Sequence, residues 1–299
     1  MGVNLMLKKI WQLFIMVLSV FTLQISAMAA EESINEEAKI TDFISYNIMS
    51  GQTASYHYDV PASVSAELSL KGKYGTPLSS TNPASVFGED ERYHVEDTEI
   101  FPNRFICYME CTFSDGTVNK CTGWLCGAST VMTVAHNVYR PERGWVKSIK
   151  VWPGKNGNSA PYGSALATEI HMPAAYKRLS VTKYDVAMLY LNTPIGNRTG
   201  YFGIKYRPES YVSSSVFIAG YPLNKNKQLW KAGGKILKAK PSELHYTIDT
   251  EEGQSGSPVY FGSGSERYCI GIHNGNQREN NVGNRITHCI FNWIQNKRK

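Results

Sequence analysis

A short glycine-rich turn, Gly253–Pro258 (GQSGSP), carries the strongest chemical signal in the sequence. A serine in such a turn can expose its hydroxyl group while neighbouring backbone N–H groups converge on one point. An oxyanion hole requires that convergence, because negative charge develops on a carbonyl oxygen during nucleophilic attack. Ser255 is the expected nucleophile, and the N–H groups of Gly253 and Ser255 are the expected donors. Taken alone, a turn rich in Gly, Ser and Pro is more often only a turn.

Two further polar residues lie at the ends of apolar segments. His136 ends the run that starts at Thr130 (TVMTVAH), where a fixed imidazole can act as a general base. Asp185 opens a run that continues to Leu191 (DVAMLYL), where a carboxylate can hold the histidine tautomer and stabilise the imidazolium. Each residue alone is more often structural. In the order His, Asp, Ser, the three side chains together predict a catalytic triad.

Short strands must position these residues. Short apolar or alternating runs, rich in β-branched and aromatic residues, recur between clusters of Gly, Pro, Asn and Asp, which is the pattern of strands. The runs are Arg104–Tyr108, Thr130–Val134, Val146–Trp152, Val186–Leu191, Ser215–Ala219, Val259–Phe261 and Cys269–Ile272. Many short strands indicate a barrel or a sandwich. Only Arg285–Gln295 has apolar residues at helical spacing, and we predict a C-terminal helix there.

The composition is that of a globular protein with a substantial core. Of the 299 residues, 42% are hydrophobic and 19% are charged, which argues against disorder. The formal net charge of +6 comes from basic residues spread along the chain, apart from the terminal Asn296–Lys299. We interpret this tail as a solvated end and expect no nucleic-acid partner.

The amino-terminal residues have the pattern of a secretory signal peptide. Lys8 and Lys9 precede an apolar run, Ile10–Ile25, and Ala27–Ala29 fits a signal-peptidase site. A retained membrane anchor is the alternative, but the run is short for a span, which needs roughly 20 apolar residues. We predict a signal peptide over residues 1–29, export, and no membrane association after cleavage.

Residues 30–84 differ in amino-acid composition from the rest of the chain. From Glu31 to about Ala84 there is no cysteine or tryptophan, and the segment ends in a turn-rich run over residues 71–85 typical of an exposed linker. We predict a propeptide over residues 30–84. A small extra domain or a disordered leader is the alternative.

The cysteines fit an oxidising, extracellular setting, although their pairing stays open at this point. They are Cys107, Cys111, Cys121, Cys126, Cys269 and Cys289. No C-x-x-C pair occurs, so we expect neither a metal site nor another cofactor.

Four further motifs accompany the expected triad: Ser85–Arg92 (SVFGEDER), Cys121–Leu125 (CTGWL), Asp249–Thr250 and Gly271–Gly275 (GIHNG). With these motifs, the chain from about Ser85 onward resembles the glutamyl endopeptidases of Gram-positive bacteria, the V8-like branch of the chymotrypsin-like serine proteases. The resemblance implies an all-β fold of two six-stranded antiparallel β-barrels, over about residues 85–197 and 198–299. It also implies an active site between the barrels, with His136 and Asp185 from the first and Ser255 from the second.

The resemblance further implies a preference for glutamate at P1, the residue before the cleaved bond. In this family a histidine and a hydroxyl residue bind that glutamate, and His273 and Thr250 occupy the matching positions. An imidazolium can pair with the carboxylate while the hydroxyl donates a second bond. The alternative is that His273 is a structural residue of a strand, with its hydrogen bonds made within the protein. Gln254 stands where trypsins have an aspartate that pairs with the new amino terminus, so activation must work differently.

One departure from the Bacillus relatives concerns the cysteines. Asn137 stands where those relatives have a cysteine, so their disulfide to the Cys121 position cannot form. We expect Cys269 to pair with Cys289 instead.

A second departure concerns charge near the substrate. Glu251 and Glu252 replace neutral residues, and two carboxylates there can repel a P1 glutamate or raise the pKa of His273. Asp249 lies at the spacing before Ser255 at which trypsin-like enzymes bind lysine or arginine. A basic P1 preference is therefore the alternative specificity.

These observations predict a secreted, extracellular serine endopeptidase that cleaves after glutamate through an acyl-enzyme. Its expected partners are protein or peptide substrates and an activating protease that removes residues 30–84. A catalytically silent binding protein on the same fold is the alternative from another functional class.

Overall fold

The computed structural model describes residues 41–59, 66–74, 91–262, 266–277 and 280–299. The expected signal peptide and the expected cut before Ser85 lie outside these ranges. No helix in the described ranges is long and apolar enough to cross a membrane.

The described residues are mostly strands. The strands are β1 Asp42–Asn47, β2 Thr53–His57, β3 Leu68–Leu70, β4 Tyr93–His94, β5 Ile106–Phe113, β6 Val118–Leu125, β7 Thr130–Thr133, β8 Tyr139–Arg140, β9 Gly144–Pro153, β10 Ala165–Pro173, β11 Ala187–Leu191, β12 Gly203–Tyr206, β13 Ser215–Gly220, β14 Trp230–Ala239, β15 Glu243–Tyr246, β16 Pro258–Phe261, β17 Tyr268–Gln277 and β18 Asn280–Arg285. The helices are α1 Ala174–Leu179, α2 Gly196–Thr199 and α3 His288–Lys297. Single 3₁₀ turns occur at Asn103–Phe105, Ala135–Asn137, Thr182–Tyr184 and Leu223–Lys225.

The first barrel closes from six antiparallel strands in the order β10, β11, β7, β6, β5, β9, with β9 paired back to β10. Its interior is apolar: Met109, Trp124, Val131 and Ile149 are fully buried. Burial of such side chains is the main favourable term in folding. The short apolar runs expected from the sequence are therefore barrel strands.

The second barrel closes in the order β16, β13, β14, β15, β18, β17, with β16 paired to β17. Beside it, β12 adds to β17 as a parallel neighbour outside the closed ring. The expectation of two six-stranded barrels is confirmed.

The C-terminal helix begins later than its apolar spacing predicts. Thr287 caps it, with its hydroxyl oxygen accepting the backbone N–H of Ile290 at 3.2 Å. Arg285, placed in the helix by the sequence pattern, instead ends β18 and donates to the backbone carbonyl of Glu209 at 3.0 Å. The tail expected to be solvated is also docked by its backbone, since the Lys299 carbonyl accepts the N–H of Ser129 at 2.9 Å.

All six cysteines are buried, and no disulfide joins any of them, so the expected Cys269–Cys289 disulfide is absent from the structure. Burial raises the pKa of the Cys269 thiol well above its ordinary value, which suppresses the thiolate needed for disulfide exchange. The sulfur atoms of Cys111 on β5 and Cys121 on β6 lie 3.7 Å apart. This distance is too long for a disulfide bond, which is about 2.05 Å.

Candidate active site

His136 and Asp185 are joined directly. The 3₁₀ turn after β7 presents His136, whose Nδ1 lies 2.7 Å from Oδ2 of Asp185. The backbone N–H of His136 donates to Oδ1 of the same carboxylate at 2.9 Å. With both oxygens engaged, the carboxylate fixes the ring with its proton on Nδ1 and leaves Nε2 for a reacting partner. The Asp185 side chain is 7% exposed and that of His136 is 26% exposed, so the ring alone faces the solvent.

A chain of asparagine amides reaches Asp185 from the second barrel. Asn274 on β17 donates through Nδ2 to Oδ2 of Asp185 at 2.7 Å, which brings the hydrogen bonds accepted by this carboxylate to three. The same amide contacts Oδ1 of Asn284 at 3.0 Å, and Asn284 donates to the Thr182 carbonyl at 2.5 Å. Thr182 begins the turn that presents Asp185. The second barrel therefore orients the carboxylate.

Ser255 joins this network through the same asparagine. Its hydroxyl donates to the backbone carbonyl of Asn274 at 3.0 Å. Within the described residues no hydrogen bond joins Ser255 to His136. Catalytic hydrogen bonds of this kind are often long or poorly aligned until substrate is bound.

The turn before Ser255 requires glycine at residue 253 and leaves two backbone N–H groups without hydrogen bonds to the described residues. Gly253 has φ +94°, and a Cβ there would lie 2.5 Å from the carbonyl oxygen of Tyr221, so only glycine fits. Its carbonyl accepts the Thr122 hydroxyl at 2.9 Å. In the described part of the chain, the N–H groups of Gly253 and Ser255 take part in no hydrogen bond. Both N–H groups are thus free to donate to a developing oxyanion.

Asn137, the residue that replaces a cysteine of the relatives, ties this turn to the first barrel. Its side-chain amide is buried and donates to the Ser255 carbonyl at 3.0 Å, while its oxygen accepts from Asn119 at 3.1 Å. The backbone N–H of Thr122 reaches the same Ser255 carbonyl at 3.2 Å. Hydrogen bonds from Asn137 and Thr122 therefore link the Ser255 turn to the first barrel.

His273 lies directly beside the nucleophile turn. Its carbonyl accepts the N–H of Gly256 and its N–H donates to the Ser257 carbonyl, both at 2.8 Å. The ring is 2% exposed, and its Nδ1 lies 2.8 Å from the hydroxyl oxygen of Tyr246. Burial, with the nearby His136 as a smaller cause, lowers the pKa of His273 to about 3. The imidazole is therefore neutral in the free protein, whereas the sequence analysis considered an imidazolium, and the raised pKa that was one of two possible effects of Glu251 and Glu252 is not seen.

Two of the acidic residues before Ser255, Asp249 and Glu251, already have partners within the chain. Oδ2 of Asp249 accepts the backbone N–H of Glu91 at 3.1 Å, and Nη2 of Arg92 lies 3.9 Å from Oε2 of Glu251. Thr250 is half-buried, and its hydroxyl has no hydrogen bond to the described residues. The structure thus places Thr250 and His273 on the two segments that flank Ser255.

Sequence reasoning missed Asn274, Asn284 and Tyr246. Their signal is weak because asparagine and tyrosine are ordinary strand and loop residues, and their partners lie far away in the chain. Asn137 was noticed only as a missing cysteine, and its hydrogen-bonding role could not be read from that absence.

The trypsin family model matches residues 95–294 of the chain. The chain belongs to the trypsin family. This trypsin-family chain is 37% identical over 224 residues to the glutamyl endopeptidase of Bacillus licheniformis, covering 71% of the chain and 68% of that relative. A solved Glu endopeptidase, in complex with MPD, superposes with a TM-score of 0.63 at 30% identity, over 71% of this chain and 98% of its own. The protein is therefore a chymotrypsin-like serine endopeptidase similar to the glutamyl endopeptidases, and its substrates are peptides.

Another relative carries a different name. The extracellular metalloprotease of Bacillus subtilis is 33% identical over 222 residues, covering 73% of this chain and 71% of that protein. Among the described residues, no three His, Cys, Asp or Glu side chains come together as a possible metal site.

Proposed function

We propose that the protein is an exported endopeptidase that cleaves after glutamate, with His136, Asp185 and Ser255 as its triad. The observation that carries this proposal is the Asn274 junction. One asparagine accepts from the Ser255 hydroxyl through its carbonyl and donates to the Asp185 carboxylate through its amide, while the same carboxylate holds His136. The three side chains thus share one hydrogen-bonded cluster between the barrels.

The chemistry follows from this arrangement. Ser255 Oγ attacks the carbonyl carbon of the scissile bond, and its proton passes to Nε2 of His136. The carbonyl oxygen becomes an oxyanion that accepts hydrogen bonds from the N–H groups of Gly253 and Ser255. Collapse of the intermediate breaks the C–N bond, and the His136 proton goes to the leaving amine. Water then hydrolyses the acyl-enzyme by the same steps, with His136 again as the base.

The P1 preference rests on His273 and Thr250. The Tyr246 hydroxyl, by donating to Nδ1 of His273, would leave the proton of the neutral ring on Nε2 as a donor for a carboxylate. The free hydroxyl of Thr250 supplies a second donor. The basic-P1 alternative is disfavoured because Asp249 already accepts the backbone N–H of Glu91.

Export and processing complete the proposal. Residues 1–29 serve as the signal peptide, residues 30–84 as the propeptide and residues 85–299 as the secreted, extracellular protease. Ala84–Ser85 is not a glutamyl bond, so a different activating protease makes this cut.

Covalent labelling tests the assignment of Ser255. A peptidyl diphenyl phosphonate with a glutamate side chain at P1 should react at Ser255, forming a P–O bond and releasing phenol. Intact mass and peptide mapping should show one adduct on Ser255, absent from Ser255→Ala. Ser257→Ala is the matched control, because the Ser257 hydroxyl makes no hydrogen bond among the described residues and its removal should leave the adduct in place. An adduct on another residue, or none, would refute the assignment.

A further inference from the structure

The proposed propeptide, residues 30–84, is here called the leader. Part of it extends the sheet of the first barrel outside the closed ring. In its described residues, β1 and β2 form an antiparallel hairpin, and β1 pairs with the free edge of β10 from Phe43 opposite Pro173 to Asn47 opposite Glu169. Without the hairpin, this stretch of β10 would present unpaired N–H and C=O groups to solvent. The leader therefore completes the sheet.

The same hairpin covers the C-terminal helix. Phe43 is fully buried, with its ring centroid 4.6 Å from that of Trp293 on α3. Nε1 of Trp293 donates to the hydroxyl oxygen of Tyr56 at 3.0 Å, and the Tyr58 hydroxyl donates to the Asn292 carbonyl at 3.3 Å. Loss of the leader would expose an aromatic surface and leave the buried indole N–H without this acceptor.

A second part of the leader binds beside the second barrel. β3 pairs antiparallel with β12, and Glu67 next to it lies 2.8 Å from Nζ of Lys205 and 3.1 Å from Nε of Arg207. Further along, the Tyr74 carbonyl accepts from Nη2 of Arg104 at 2.6 Å, and its hydroxyl donates to the Arg267 carbonyl at 3.0 Å. The leader thus contacts elements of both barrels.

The described leader residues stay out of the catalytic cluster. None of them forms a hydrogen bond, ion pair or ring contact with His136, Asp185 or Ser255, nor with Thr250 or His273. The described part of the leader therefore does not engage these residues by any of these three interactions.

We propose that the leader stays bound after the chain is cut between residues 75 and 90, so that the processed enzyme is a non-covalent complex of two chains. This inference rests on the processing step of the proposed function. The opposing outcome is release of the leader. The solved Glu endopeptidase aligns over 98% of its own length but covers only 71% of this chain, so it is shorter than this chain. A related protease therefore folds without a counterpart of every segment present here.

The contact between the leader and β10 includes His171, whose protonation makes binding of the leader depend on pH. Tyr56 contacts Nδ1 of His171 at 3.0 Å, and burial lowers the pKa of His171 from 6.5 to about 4, with two lysines adding to the effect. The groups facing the ring are the Tyr56 hydroxyl, the Glu169 carboxylate, the Tyr190 ring, and the ammonium groups of Lys297 and Lys299. Release of the leader would expose the ring and return its pKa toward 6.5. Above that pH both forms are neutral and binding is strongest; as the pH falls toward 4, only the released form gains a proton, so binding weakens.

The test uses the full exported chain carrying Ser255→Ala, with residues 79–84 replaced by the recognition sequence of an unrelated, highly specific protease. After cutting, gel filtration near neutral pH followed by intact mass spectrometry should find one leader fragment per protease domain in the same peak. A leader fragment that elutes separately would overturn the proposal. The cut does not depend on the protein's own activity, so this result is independent of the P1 preference.

A matched pair of variants locates the binding. Phe43→Ala removes the ring stacked on Trp293 and should weaken retention of the leader about 100-fold. Ser55→Ala, at an exposed position of the same hairpin, should leave retention unchanged. If Phe43→Ala does not fold, Tyr56→Phe serves instead, because it removes only the contacts to Trp293 and His171 and should accelerate release. Equal retention in the Ser55 and Tyr56 variants would contradict the assigned interface.

Discussion

Asp185→Asn is expected to lower kcat about 10⁴-fold while KM changes little. The carboxylate accepts hydrogen bonds from the backbone N–H of His136, from Nδ1 of its ring and from the Asn274 amide. An asparagine has one acceptor oxygen, so its NH₂ group would face a donor. The ring would then favour the tautomer with its proton on Nε2, which cannot accept the serine proton.

Steady-state kinetics on a glutamyl peptide, with thermal unfolding as a check on folding, measures this effect. Asp115→Asn is the matched control, since that carboxylate lies in an exposed turn and makes its hydrogen bond to the nearby Thr117 backbone. It should leave kcat unchanged. A loss of less than about tenfold in Asp185→Asn would show that this carboxylate does not orient the base.

His273→Gln is expected to lower kcat/KM for a glutamyl peptide about 30- to 1,000-fold, because a desolvated contact to a carboxylate is lost or weakened. The matching glutaminyl peptide carries no charge and should lose less than about threefold. The imidazole is buried and neutral in the free protein, with Tyr246 on Nδ1, so its contribution is a directed N–H and the capacity to gain charge when a carboxylate arrives.

The comparison of the two peptides separates specificity from damage to the fold. His245→Gln is the matched control: this histidine lies on β15 in the same barrel and contacts Glu243 at 3.0 Å. It should change cleavage of the two peptides equally. If His273→Gln also lowers both rates by the same factor, the residue supports the nucleophile turn and does not read the P1 side chain.

The three candidate catalytic residues could be selected from the sequence because each marks the end of a local pattern. Apolar runs around Val131 and Leu189 form strands whose burial depends on alternation and β-branched residues, and a polar residue at the end of such a run stands out. The Gly253 turn is equally local, since its positive φ requires glycine. The strands of the two barrels could be predicted for the same reason, because each follows from a local sequence pattern.

The supporting network could not be predicted, since it depends on contacts between distant segments. Asn284 of the second barrel donates a hydrogen bond to Thr182 of the first barrel. Tyr246 forms a hydrogen bond with His273 only because β15, β18 and β17 are neighbouring strands. The neutral state of His273 also follows from burial, which no local pattern reports. The pairing of β1 with β10 is another long-range contact, which the prediction of a propeptide ending in a turn-rich linker over residues 71–85 did not include.

Cysteine pairing shows the opposite failure. The Cys269–Cys289 bond was expected because the two cysteines flank a strand and the final segment, but both are buried and no disulfide joins them. At the Asn137 position, the amide supplies hydrogen bonds to Ser255 and Thr133 where the relatives have a cysteine. Stability near the nucleophile is therefore achieved here without the covalent link.

Cleavage of matched peptides that differ only at P1 measures whether this active site prefers glutamate at that position. Peptides with Glu, Asp, Lys and Phe at P1 are offered to the processed protein, with Ser255→Ala as the blank. We expect kcat/KM to be highest for the glutamyl peptide, at least about 100-fold above the lysyl and phenylalanyl peptides, and we expect no turnover in the blank. A preference for lysine would refute the proposed specificity, because it would mean that Asp249 and not His273 governs the pocket.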